Sequence, residues 1–153
     1  MVFLILIGAA VFSLVFRGFG GEELVEQFFA GLPGGIVAAT LLVMLVIFLL
    51  GFILDFIEIT YMVVPIVGPI LLAMGLDPIW LGIMLAVNLQ TSFLTPPMAM
   101  SAYYLKGVQS KNVELMDIFR GIMPFLGIVI LAMVLMYLFP AIALWLPDTL
   151  FAN

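Results

Sequence analysis

The sequence contains no cysteine and no histidine. Without thiols there is no disulfide, no thiolate metal site and no cysteine nucleophile, and without imidazole there is no histidine general base. Charge is scarce as well: 8% of the 153 residues are charged, against roughly 25% in a soluble domain. The net charge is −5, so the chain offers no basic footprint for nucleic acid. The opening residues Met1-Val2-Phe3-Leu4 lack the basic stretch that begins a signal peptide. What fills the chain instead is apolar: 67% of it is hydrophobic, and the mean hydropathy is +1.43. The apolar runs are far longer than the alternating segments of a barrel. The composition therefore describes an all-α integral membrane protein whose solvent is the lipid bilayer.

The first helix is expected over residues 1–17, ending near Arg17 and Gly20-Gly21. Its apolar part, residues 1–16, would rise about 24 Å as a helix, short of the roughly 30 Å hydrocarbon core. It is therefore expected to be truncated, as in the carboxy-terminal piece of a longer chain. Residues 18–33, with Glu22, Glu23 and Glu26 ahead of Phe28-Phe29, read as an interfacial helix or a solvated loop. Leu32-Pro33-Gly34-Gly35 is a turn and a helix start.

Residues 34–75 hold two apolar arms that meet at a joint near 51–58. The joint contains Gly51, Asp55, Glu58 and Thr60 and no basic residue. So greasy a joint fits a re-entrant hairpin whose tip reaches protein or water, although length alone also allows two full spans. Asp55 at that depth is a candidate functional carboxylate; its structural alternative is to cap the second arm, with Glu58 in the first turn. Gly75-Leu76-Asp77-Pro78 stops one helix and starts the next.

Residues 77–105 form one membrane helix expected to be broken, with 88–97 unwound. The segment Asn88-Leu89-Gln90-Thr91-Ser92-Phe93-Leu94-Thr95-Pro96-Pro97 sets an Asn, a Gln, two Thr, a Ser and a Pro-Pro pair in the middle of a long apolar stretch. Pro96 and Pro97 have no N–H, so the carbonyls near Ser92 and Phe93 lose their helical donors. Asn88, Gln90, Thr91, Ser92 and Thr95 bring side-chain oxygens to the same place. Freed carbonyls with amide and hydroxyl oxygens suit a hard cation, and half-helix ends are a common source of transporter ion sites. The alternative is a proline-kinked helix whose hydroxyls merely bond back to its own carbonyls.

Residues 106–120 contain Lys106, Lys111 and Arg120 and read as a cytoplasmic loop with an amphipathic helix. Residues 121–147 are the last span, with Pro140 kinking its end and Trp145 as an interface anchor, and 148–153 are a tail. Counting crossings back from 106–120 puts 18–33 and the carboxy terminus on the outer side.

A polar-tipped hairpin followed by a broken helix is half of an inverted-repeat transporter core. Gly51-Phe52-Ile53-Leu54-Asp55, Ile59, Val64-Pro65-Ile66-Val67-Gly68-Pro69, Gly75-Leu76-Asp77-Pro78, Asn88-Leu89 and Leu94-Thr95-Pro96-Pro97 occur in one order. In that order and spacing the chain resembles the carboxy-terminal third of the large membrane subunit of tripartite ATP-independent periplasmic (TRAP) transporters. The run at 16–21 and the joint Asp55-Phe56-Ile57-Glu58 resemble the subgroup labelled mannitol/chloroaromatic. The resemblance implies sodium-coupled import of an organic anion such as a dicarboxylate across a bacterial or archaeal inner membrane, with Na+ the coupling ion and no cofactor. It implies three partners: the first repeat of the same subunit, a small membrane subunit, and a periplasmic substrate-binding protein. It also implies an elevator-type core of the ion-transporter superfamily. Asn88 and Thr95, with the 90–94 backbone, fall where sodium is expected, beside the joint at Gly51–Asp55. The first repeat is absent, so this chain alone is not expected to transport.

Four other readings compete. The chain could be a membrane packing or assembly subunit, which predicts no sodium effect, or another ion-coupled anion transporter of the same superfamily. An aspartyl-protease-like enzyme would need a second acid beside Asp55, and only Glu58 stands near. A channel would need a charge ring or a carbonyl filter repeat, and the sequence has neither.

Overall fold

The computed structural model describes residues 2–96, 99–109 and 113–151. Among these the chain is all-helical. The elements are α1 (Val2–Gly18), α2 (Gly21–Ala30), α3 (Gly35–Leu50), α4 (Phe56–Ala73), α5 (Pro78–Leu94), α6 (Met100–Val108), α7 (Leu115–Leu138) and α8 (Ala141–Phe151). Two of them, α4 and α7, are long and apolar enough to cross a membrane. The bent pair α1–α2, which turns through 71°, would make a third if it acts as one span.

The helix boundaries follow from local chemistry. Gly20, Gly34 and Gly75 adopt positive φ at helix ends, which a side chain would resist. Asp77 Oδ1 accepts from the backbone N–H groups of Ile79 at 2.8 Å and Trp80 at 2.9 Å, and Pro78 follows as the first helical residue. Asp77→Ala is expected to cost about 1 kcal/mol, the usual worth of such a cap, measured as a lowered midpoint of thermal unfolding in detergent.

The core lies where α3, α4, α5 and α7 meet. Ala39, Val43, Ile47, Ile59, Leu71, Leu81 and Met84 are buried there. In a bilayer such packing works through close fit and hydrogen bonds, because lipid tails are as apolar as the side chains. Helix α4 carries a π-helical stretch, Ile59–Val63, just ahead of Pro65. This stretch packs against α1.

Three expected boundaries move. The segment expected to unwind from 88 is helical through Leu94. The cause is simple: a proline withholds only its own N–H, and Thr95 N–H still reaches the Thr91 carbonyl at 2.9 Å. Helix α5 thus ends at Leu94 and α6 starts at Met100; Pro97 and Met98, between them, lie outside the described residues. The last span begins at Leu115 rather than 121, because Pro124 removes one helical bond without ending the helix. That span stops at Leu138 because Pro140 drives Phe139 out of the helical region, to φ −127° and ψ 76°. The tail is helical through Phe151 as part of α8. Lys111, in the basic stretch, lies outside the described residues.

Candidate functional site

The buried face of α5 bears Trp80, Met84, Asn88, Thr91, Ser92 and Thr95. Spacings of three and four residues put these side chains on one side of a helix. Asn88 is 1% exposed. Its Nδ2 donates to the Met44 carbonyl of α3 at 2.8 Å. A carbonyl can only accept, so this bond fixes which end of the amide faces Met44 and leaves Oδ1 on the other side. Asn88 Oδ1 is buried and has no hydrogen-bond partner, the one such side-chain atom among the described residues. A buried acceptor left unpaired costs about 1–3 kcal/mol, so its presence needs a cause.

The neighbouring hydroxyls cannot supply the missing donor. Thr91 Oγ1 donates to the Asn88 carbonyl at 2.6 Å and Ser92 Oγ to the Leu89 carbonyl at 2.8 Å. Thr95 Oγ1 donates to the Thr91 carbonyl. Each hydroxyl has one hydrogen, and each has committed it. The oxygens of Asn88, Thr91, Ser92 and Thr95 are therefore all acceptors toward anything further. Beside them the Ser92 carbonyl has lost its helical donor to Pro96. An oxygen-rich, hydrogen-poor cluster is chemically matched to a cation.

The hairpin joint closes against this cluster. Gly51 is buried, and a Cβ built on it would lie 3.1 Å from Ser92 Cβ and 3.2 Å from the Phe48 carbonyl oxygen. Its φ of −59° is open to any residue, so what it supplies is closeness rather than conformational freedom.

The structure thus brings together Gly51, Asn88, Thr91, Ser92 and Thr95. It places the other two candidates elsewhere. Gln90 is exposed, in a groove of about 250 Å3 with Phe56, Ala86, Leu89 and Phe93. Asp55 is half-buried and caps α4, its Oδ1 accepting from Phe56 N–H at 2.8 Å. Glu58 sits in the first turn of the same helix. The Met44 carbonyl was not legible in advance, since nothing in a uniform apolar arm marks one backbone group.

A family model described as "Tripartite ATP-independent periplasmic transporter, DctM component" matches residues 1–142. The chain is 29% identical over 143 residues to the C4-dicarboxylate TRAP transporter large permease protein DctM of Vibrio cholerae, covering 90% of this chain and 31% of that protein. It is 27% identical over 148 residues to the sialic acid TRAP transporter large permease protein SiaM of the same species, covering 97% and 34%. It is 28% identical over 157 residues to the ectoine TRAP transporter large permease protein TeaC of Halomonas elongata, covering 95% and 36%. The chain spans about a third of the length of these relatives. The matched family is a transporter component and not an enzyme family. By a match that runs over nearly its whole length, this membrane chain belongs to the DctM family of TRAP transporter large permease components.

Proposed function

We propose that this chain is the carboxy-terminal part of the large membrane subunit of a sodium-coupled TRAP importer, and that Asn88, Thr91, Ser92 and Thr95 hold the coupling sodium ion beside Gly51. The observation that carries the reading is the unpaired, buried Asn88 Oδ1 amid hydroxyls that have committed their hydrogens. Neutral oxygens match a monovalent hard cation, which needs no carboxylate to balance it. Asp55 and Gln90 stay candidates for contact with substrate or with the remainder of the subunit, since neither joins the oxygen cluster.

The same reading takes α3 and α4 as a re-entrant hairpin and α5–α6 as the broken helix of one inverted repeat in an elevator-type core. Its support is length and contact. Helix α3 has 16 residues, about 24 Å at 1.5 Å each, less than a hydrocarbon core of about 30 Å. Its tip meets Ser92, close to the break in α5, rather than either end of the chain's longer spans. The ordered motifs from Gly51 to Pro97 support the carboxy-terminal position, and the runs at 16–21 and 55–58 support the mannitol/chloroaromatic subgroup. Residues 106–120 would face the cytoplasm of a bacterial or archaeal cell, and 18–33 the opposite side. The partners would be the first repeat of the same subunit, a small membrane subunit and a periplasmic binding protein. The relatives are named for C4-dicarboxylate, sialic acid and ectoine, compounds that share a carboxylate though ectoine is a zwitterion, so a carboxylate-bearing organic solute, an organic anion in the first two cases, is the proposed cargo class.

The test is thermal stability of the purified chain in detergent, with NaCl titrated against choline chloride at constant ionic strength. A ligand bound only by the folded state adds RT ln(1 + [L]/Kd), about 2.7 kcal/mol at 100-fold excess over Kd. A sodium-specific rise is expected. An identical response to choline would leave either a purely structural kink or a site completed only by the first repeat, and the same titration on the full-length subunit separates the two.

A further inference from the structure

Pro140 lies four residues after Met136, so it withholds the N–H that would complete the helical bond of the Met136 carbonyl. The carbonyl before it keeps its own donor, with Phe139 N–H on Leu135 O at 2.8 Å. One acceptor near the end of α7 has thus lost its helical partner, in a medium where such groups must be satisfied by protein. Trp80 supplies the replacement. Its Nε1–H donates to the Met136 carbonyl at 3.2 Å, across 56 residues of sequence. The two residues are 5% and 9% exposed, so water does not compete for the bond. The indole also lies against Tyr137, with ring centroids 5.9 Å apart.

An indole has one donor and no acceptor, so this bond fixes both the ring and the helix that carries it. Trp80 stands two residues after Pro78, and its backbone N–H is itself held by Asp77 at 2.9 Å. Eight residues further along the same buried face, Asn88 donates to the Met44 carbonyl of α3. Helix α5 is therefore tied at two heights about 12 Å apart, to α7 by Trp80 and to α3 by Asn88. Two ties to two different helices define the rotation of α5 about its own axis. The direction of Asn88 Oδ1 turns with that rotation.

We infer that Trp80 is a positioning residue for the Asn88 cluster, its indole N–H replacing the donor that Pro140 withholds from Met136. The ion at that cluster rests on the function proposed above. The pairing of Trp80 with Pro140 does not.

The experiment compares the unsubstituted chain with Trp80→Phe, Pro140→Ala and the double variant in lipid nanodiscs, reading thermal midpoints in choline and the sodium concentration that gives half of the stabilisation. Pro140→Ala gives Met136 a backbone donor of its own, so the indole N–H becomes redundant. Trp80→Phe is expected to lower the choline midpoint and to raise the half-saturating sodium concentration roughly tenfold, the factor for one lost buried hydrogen bond. Adding Pro140→Ala is expected to return most of the choline midpoint, because Met136 regains a donor, and to leave the sodium shift in place, because α5 is still untied from α7. The volume lost from Trp to Phe is the same in both backgrounds, so rescue reports the hydrogen bond and not the cavity. A Trp80→Phe chain that folds only with Pro140→Ala present supports the pairing. An equal loss of choline midpoint in both backgrounds overturns it. A Trp80→Phe chain whose half-saturating sodium concentration matches that of the unsubstituted chain overturns the positioning role alone. An unsubstituted chain without any sodium response removes the ion and the positioning role together, and the choline cycle then decides the pairing by itself.

Discussion

Asn88→Leu is expected to change stability little in choline and to abolish the sodium-dependent part entirely. The two halves of this result have separate causes. Leucine has the branching and the side-chain heavy-atom count of asparagine with bulkier methyl ends, so it leaves no cavity at a site that is 1% exposed. The Nδ2 bond to Met44 is lost, but the Met44 carbonyl lies inside α3 and keeps its helical donor. The variant also removes an unpaired buried oxygen, whose burial costs about 1–3 kcal/mol in the unsubstituted chain. These terms oppose one another, and the net in choline is expected within about 1 kcal/mol of zero. In sodium the contrast opens. At 100-fold excess over Kd the unsubstituted chain gains about 2.7 kcal/mol, and the leucine variant gains none. Thr95→Val is expected to follow it in direction, since it removes another of the acceptor oxygens. The measurement is the pair of thermal titrations, sodium against choline, on each variant. A full sodium response in Asn88→Leu would place the ion elsewhere and leave the unpaired oxygen without an explanation.

Much of the scaffold was legible because it is written locally. Asp77 before Pro78 marks a helix start whatever lies around it, and the cap forms as the dipeptide dictates. Gly75, at φ 101°, ends the preceding helix for the same kind of reason. The place of the break in α5 was legible from Pro96, but its extent was not. Five polar side chains within eight residues, followed by two prolines, look like unwound chain. Three of those side chains instead turn back on carbonyls three or four residues earlier, which leaves the helix intact through Leu94. Composition cannot separate these outcomes, since the same hydroxyls serve either. The long-range partners were hidden as well. Asn88 meets a backbone carbonyl 44 residues away and Trp80 one 56 residues away, and a carbonyl has no letter in a sequence. Pro140 was the available signal for the second of these, because a proline names the carbonyl it deprives. Gly51 reads in sequence only as one residue of the joint, whereas its φ of −59° and its closeness to Ser92 show that contact is what requires it.

That contact carries the second large expected effect. Gly51→Val is expected to destabilise the chain by about 2 kcal/mol, within the usual range for overpacking a close-packed interior, and to weaken the sodium response along with it. Even the first added carbon would sit 3.1 Å from Ser92 Cβ and 3.2 Å from the Phe48 carbonyl oxygen. The side chain of Ser92 can retreat only with α5, which Asn88 and Trp80 hold to its neighbours. The joint must then lift away from the helix, and the oxygen cluster loses the wall that Gly51 provides. A double-mutant cycle isolates this cause. Ser92→Gly removes the Cβ that the valine would strike, at a helix-propensity cost of about 0.5 kcal/mol of its own. If contact is the reason for the glycine, Gly51→Val should cost clearly less in the Ser92→Gly background, by more than the roughly 0.5 kcal/mol within which independent sites add. If the cost is unchanged, the clash is with the Phe48 carbonyl within the joint itself. The sodium titration of the same variants then separates packing from function. A joint that forms one wall of the ion site should raise the half-saturating sodium concentration when it lifts. A joint that only packs should lower the thermal midpoint and leave that concentration where it was.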